Sequence, residues 1–194
     1  MPHQVSGLRS QVSSGAHRYF LTKAVGWREG TALVAVAWLV PVLVHLIPWA
    51  GPRPLGVYVL PVFWTTFVAL YFYGALPGLA TGLVTPLANV ALTGLPALAS
   101  VTMMSLEIAL FVAIAALLVT RRAGFWFAAP LAWVVAKAIA IAVQFFVPAF
   151  YSAESPVHHL ARSMENGIAG LGMLAVIHWM LVVYYPRGEG GAGA

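Results

Sequence analysis

Residues 98–122 read LASVTMMSLEIALFVAIAALLVTRR. From Leu98 to Thr120 there is a single charged residue, Glu107, and the run stops at Arg121-Arg122. A helix that crosses a bilayer needs about 20 mainly apolar residues. After Ala123-Gly124 a second run extends from Phe125 to Val147, again with one charge, Lys137, and closes at Pro148. Two apolar runs flanking a short basic turn describe a pair of antiparallel membrane helices. Helices are the default here, because an open sheet cannot satisfy its backbone polar groups in lipid.

The remainder of the chain repeats this pattern. A first apolar run covers Thr31 to Ala50 and is closed by Gly51-Pro52-Arg53-Pro54. A second runs from Val57 to Tyr73, and Gly74-Ala75-Leu76-Pro77 turns the chain. The third, Gly78 to Leu92, is short and interrupted by glycine and proline, and Thr93-Gly94-Leu95-Pro96 ends it. The last begins at Ser155-Pro156, a serine cap followed by proline at the first helical position, and continues to Tyr185. Its first turns are expected in the membrane interface. The expected fold is therefore an all-α integral membrane protein, a six-transmembrane-helix bundle. Residues 1–30 form an N-terminal segment that is either a surface helix or a tail, 31–185 the membrane domain, and 186–194 a flexible tail.

Composition agrees. Of 194 residues, 61% are hydrophobic and 8% charged, against roughly 45–50% and 25% in soluble domains. There is no cysteine, which excludes disulfides, thiolate metal sites and a cysteine nucleophile. The net charge of +5 is not gathered into a patch, so no nucleic-acid partner is expected. Arg9, Arg18, Lys23 and Arg28 precede the first run, Arg121 and Arg122 join the fourth and fifth, and Arg187 follows the sixth. Six spans put all three groups on one side, which the positive-inside rule makes cytoplasmic. Both termini are then cytoplasmic, with Glu154 outside. Membrane lipids are the first expected partners.

Ionisable residues within spans are costly and mark function by default. Glu107 and Lys137 each stand about fifteen residues from Arg122, so an antiparallel hairpin brings them to one depth. A buried ion pair is expected. It is open whether the pair is structural or whether one member faces a substrate. Lys137 shares a helical face with Trp133, Ile141 and Gln144. His45 and His178 lie at opposite ends of their spans, too far apart in depth to hold a haem between them, and each reads as a packing residue. His158, Arg162 and Glu165 fall on one face near the outer surface, which suits either a solvated helix start or an anion or metal site. Asn89 and Thr93 bring polar groups to the outer end of the third span. Trp49, Tyr58, Trp64, Phe150 and Tyr151 crowd the outer half, as an aromatic belt or as a stacking wall for a planar ligand. Gly78-x-x-x-Gly82 permits close helix approach. There is no GxSxG elbow, HExxH pair or Walker loop, and no aspartate at all. No enzymatic activity, cofactor or resident metal is expected.

Residues 74–83 (GALPGLATGL), 85–89 (TPLAN), 92–96 (LTGLP) and 103–107 (MMSLE) come in an order that resembles the substrate-binding (S) component of energy-coupling factor vitamin transporters. The resemblance covers about a third of the chain. It implies a six-helix protein of the bacterial inner membrane that takes a small vitamin-like molecule from outside. A coupling transmembrane subunit and ATPase subunits would be its partners. It also places the ligand beneath the outer loops, near Thr93, Gly94, Pro96 and Glu107. The chain's own residues would complete such a site, with Asn89 adding a polar contact and Trp64 or Tyr151 an apolar wall. The small-residue face of the family's first helix is represented by Ala32, Ala35 and Ala37, and Val59-Leu60 stands where the family carries Met-His before the second-span proline. The other reading is a non-catalytic membrane subunit or scaffold of a larger complex, in contact with pigments or lipids.

Overall fold

Proline and glycine cut the apolar runs into seven helices among the described residues, and no strand is found there. The computed structural model describes residues 26–52, 55–93, 98–121, 124–147 and 155–185. The helices are α1 (Trp27–Leu46), α2 (Leu55–Val59), α3 (Pro61–Tyr73), α4 (Ala75–Thr93), α5 (Leu98–Arg121), α6 (Ala128–Gln144) and α7 (Pro156–Tyr184). Three of them, α1, α5 and α7, are long and apolar enough to cross a membrane. Helices α3 and α6 and residues 75–88 of α4 are shorter apolar segments. Residues 1–25 lie outside the described residues, so the N-terminal segment is seen only from Gly26 onward, and so does the tail after Tyr185.

Local chemistry accounts for where these helices differ from the apolar runs. Helix α1 begins one turn before Thr31 and ends at Leu46, short of Ala50. Its cap Ile47 is extended (φ −67°, ψ 123°) because Pro48 follows, and proline disfavours the α conformation in the residue before it. The second run also breaks at the residue before a proline, with a different backbone conformation. Leu60, ahead of Pro61, takes the left-handed conformation (φ 51°, ψ 48°) and separates α2 from α3. The backbone still finds partners across the break, with Leu60 N–H donating to Gly56 O at 3.2 Å and Phe63 N–H to Leu60 O at 3.0 Å. The third run, expected to be short, forms a helix of 19 residues with Pro86 inside it. The fifth contracts to Ala128–Gln144. At α7 the Ser155 hydroxyl accepts the His158 N–H at 3.3 Å and Pro156 takes the first position. The 29 residues of α7 span about 43 Å at 1.5 Å each, more than the hydrocarbon layer of about 30 Å.

Helix α3 sits at the centre, apolar around its whole circumference. From α3 onward each helix packs against the next, α1 lies against α3 and α4, and α7 returns to cover α2, α3 and α6. The interior is built from Phe67, Leu70, Ile108, Phe111, Trp133 and Leu174, with the alanines of α6 opposite them. Lipid tails are as apolar as these side chains, so close packing and interhelical hydrogen bonds must hold the bundle together. Gly82 shows the closeness: a Cβ there would lie 2.6 Å from both Ile108 Cγ2 and Thr66 Oγ1. Gly170 likewise makes room for Leu60 at the helix break, where a Cβ would meet its side chain at 2.5 Å. Thr85 supplies polar glue, its hydroxyl lying 3.2 Å from the carbonyls of both Ala37 and Thr81.

The outside of the bundle is also apolar. Val36, Leu39 and Leu43 on α1, Leu87 on α4, and Val176, Trp179 and Val183 on α7 are all exposed. A soluble monomer does not present such a surface on several sides, whereas lipid covers it at no cost. Among the described residues the protein is all-helical, and its apolar exterior and three long apolar helices suit a membrane.

Candidate functional site

The interior carries one charged pair among the described residues. Lys137 Nζ donates to Glu107 Oε1 at 2.6 Å, from α6 to α5. Their side chains are 12% and 6% exposed. Aromatic rings form the layer one helical turn away, because Glu107 and Phe111 are four residues apart on α5, as are Trp133 and Lys137 on α6. The ammonium lies 5.8 Å from the centre of the Trp133 ring, within cation–π range. Trp133 in turn meets Phe63 edge-to-face at 6.2 Å, and Phe63 meets Phe111 at 5.3 Å. The Trp133 ring lies against Gly167 of α7. Lysine and glutamate tolerate this layer because each supplies the other's counter-charge; either alone would be a bare charge in low dielectric.

The inward face of α6 continues past Lys137 through Ile141 to Gln144, both buried. The Gln144 Oε1 atom has no hydrogen-bond partner among the described residues. Pair, indole and amide therefore form a polar stripe along one face of α6, running toward the end of the bundle where α7 begins. A carboxylate offers several acceptor positions and an ammonium three donors, so both retain capacity beyond their mutual bond.

The remaining candidates are placed as follows. Trp64, on the second turn of α3, is half-buried against the core, and its indole N–H is not hydrogen-bonded to the ion pair. Asn89 and Thr93 fall in the last turns of α4, with side chains outside the described residues. Gly94, Pro96 and Tyr151 lie outside the described residues altogether, as does Glu154. His45 closes α1, its side chain likewise outside the described residues. Arg162 Nη2 stands 3.4 Å from His158 Nδ1 near the start of α7, where His158 and Glu165 are exposed. Among the described residues no three His, Asp or Glu side chains are gathered as a metal would need.

His178, expected as a packing residue, is one, and it also serves a helix start that the sequence did not point to. It is fully buried, and its Nδ1 accepts the backbone N–H of Ala129 at 3.2 Å. That N–H belongs to the first turn of α6, whose cap residue Phe127 offers no side-chain acceptor. A histidine from α7 thus satisfies one of the donors that every helix start leaves open. Phe67 packs edge-on against the imidazole at 4.6 Å, and Tyr71 beyond it donates its hydroxyl to Tyr185 O at 2.9 Å. The available signal was spacing: Gly167, Gly170, Leu174, His178 and Leu181 follow one stripe of α7, and all five are buried.

Comparison with known protein families, curated proteins and solved structures finds no match. Any functional reading therefore rests on the chain's own residues and on the order of the motifs between Gly74 and Glu107.

Proposed function

We propose that this chain is the membrane-embedded substrate-binding component of an energy-coupling-factor type uptake transporter, with six spans and both termini cytoplasmic. The observation that carries the reading is the Glu107–Lys137 pair, a charged bond of 2.6 Å held inside an apolar bundle. Its acidic member closes the motif run that begins at Gly74. In this reading α2 and α3 together make the second span, broken at Leu60, and the outer side is the end where α7 begins. A small vitamin-like molecule enters from that side and settles beneath the turn that follows α4. Glu107 accepts hydrogen bonds from its donors, Lys137 balances the charge, and Asn89, Thr93, Gly94 and Pro96 border the ligand. Trp64 and Tyr151 supply the apolar wall, the usual make-up of a small-molecule site. Coupling and ATPase subunits drive release to the cytoplasm.

The test is a melting screen of the purified protein against a panel of water-soluble vitamins and their precursors. A compound that raises the wild-type melting temperature should lose its effect in Glu107→Gln and keep it in Glu165→Ala, whose side chain is exposed. If no compound stabilises the wild type and the protein copurifies with other membrane chains, the subunit reading replaces the transport reading.

A further inference from the structure

Helices α1 and α4 both begin at the same end of the bundle, and an open groove of about 240 Å³ lies between their first turns. It is lined by Trp27, Gly30 and Val34 of α1 and by Pro77, Ala80 and Thr81 of α4. Gly30 and Ala80 leave the space, since neither has a side chain large enough to fill it. The lining is almost entirely apolar, but the mouth is not. Trp27 is 78% exposed there, and the Arg28 guanidinium lies 5.4 Å from the centre of its ring. Glu29, exposed on the first turn, is the one acidic residue of this N-terminal stretch. Two helix starts add their partial positive charge at the same end, and Gly26 provides no side-chain cap to α1.

An apolar trough that opens beside an exposed tryptophan, the Arg28 guanidinium and an uncapped helix start matches a molecule with a hydrocarbon tail and an anionic head. Neither a free anion nor a neutral lipid uses both features. We propose that this groove seats one acyl chain of an anionic phospholipid, with the phosphate at Arg28 and the open end of α1. The proposal rests on the protein lying in a membrane. It is independent of the transport reading, because the groove is at the opposite end of α4 from Thr93.

The experiment uses the full chain in a mild maltoside detergent and records its melting temperature with added dioleoyl phosphatidylglycerol or dioleoyl phosphatidylcholine. Phosphatidylglycerol should raise it by at least about 3 °C more than phosphatidylcholine. Arg28→Gln should abolish that difference, and Ala80→Trp, which fills the trough, should abolish the response to both lipids. If Ala80→Trp does not yield a monodisperse protein, the surface substitution Arg28→Gln decides, together with native mass spectrometry of retained lipid. Equal responses to the two lipids overturn the proposal, as does a preference for phosphatidylglycerol that survives Arg28→Gln. Glycerol phosphate reproducing the full rise overturns it too, since that would be an anion site with no use for the trough. Failure of every vitamin to stabilise the wild type, with the lipid response intact, would count against the transport reading alone.

Discussion

Removing one member of the Glu107–Lys137 pair is the sharpest perturbation available in this bundle. The side chains are 6% and 12% exposed and share one hydrogen bond of 2.6 Å. At an effective dielectric near 20, unit charges about 4 Å apart attract by about 4 kcal/mol. Breaking a buried pair by deleting one partner costs about 3–5 kcal/mol, because the other charge is left without compensation. Lys137→Met should therefore destabilise by that amount, and Glu107→Gln similarly. For a chain of this size each kcal/mol moves the melting point by roughly 2–4 °C, so each single change should lower it by about 10 °C. The double variant Glu107→Gln with Lys137→Met buries no net charge and should recover at least half of the loss. The assay is a double-mutant cycle in detergent, followed by fluorescence of the seven tryptophans. A coupling energy below about 0.5 kcal/mol, with the double variant losing the sum of the singles, would falsify the claim that the two charges stabilise each other.

Four further outcomes follow from the packing and the topology. Gly82→Val should cost about 1–3 kcal/mol, since the added carbons collide with Ile108 and Thr66. Gly172→Ala, with nothing within 4 Å of the new carbon, should be neutral or should stabilise by up to about 1 kcal/mol; thermal melting distinguishes the two. His178→Leu should cost about 1–3 kcal/mol by stranding the Ala129 N–H, and hydrogen exchange at the start of α6 should rise with it. In a chain that begins without cysteine, Ala192→Cys should be protected from an impermeant reagent added outside cells, and Val157→Cys, at the exposed start of α7, should react. The reverse pattern would invert the proposed topology.

Some of these features are visible in residues that act over a single turn or a single span. Ser155-Pro156 starts a helix wherever it stands, because cap and proline both act on the adjacent turn. The breaks at Ile47 and Leu60 could have been read from the following prolines, yet uninterrupted hydropathy across Leu60 obscured the second. The Gly167-Gly170-Leu174 spacing carries the buried face of α7, but it stands out only once that face is known. The outer rim of the proposed site is harder to read. Gly94, Pro96 and Tyr151 belong to connections whose placement does not follow from periodicity, and they lie outside the described residues.

What the amino-acid sequence alone determines is the solvent and the element type. An apolar content of 61% with 8% charge commits the chain to lipid, and lipid commits its backbone to helices. Counting along two runs from Arg122 also brings Glu107 and Lys137 to one depth, because helical rise is constant. Rotation about each helix axis is a different matter. Hydropathy is almost uniform around helices such as α3, so no apolar stripe says which face turns inward or which neighbour it meets. The tertiary structure decided that α3 is central, that Gly82 admits Thr66 and Ile108, and that His178 serves the start of α6. These choices are made by steric fit and hydrogen bonding between helices, and in a membrane no gradient of hydrophobicity exists to announce them in advance.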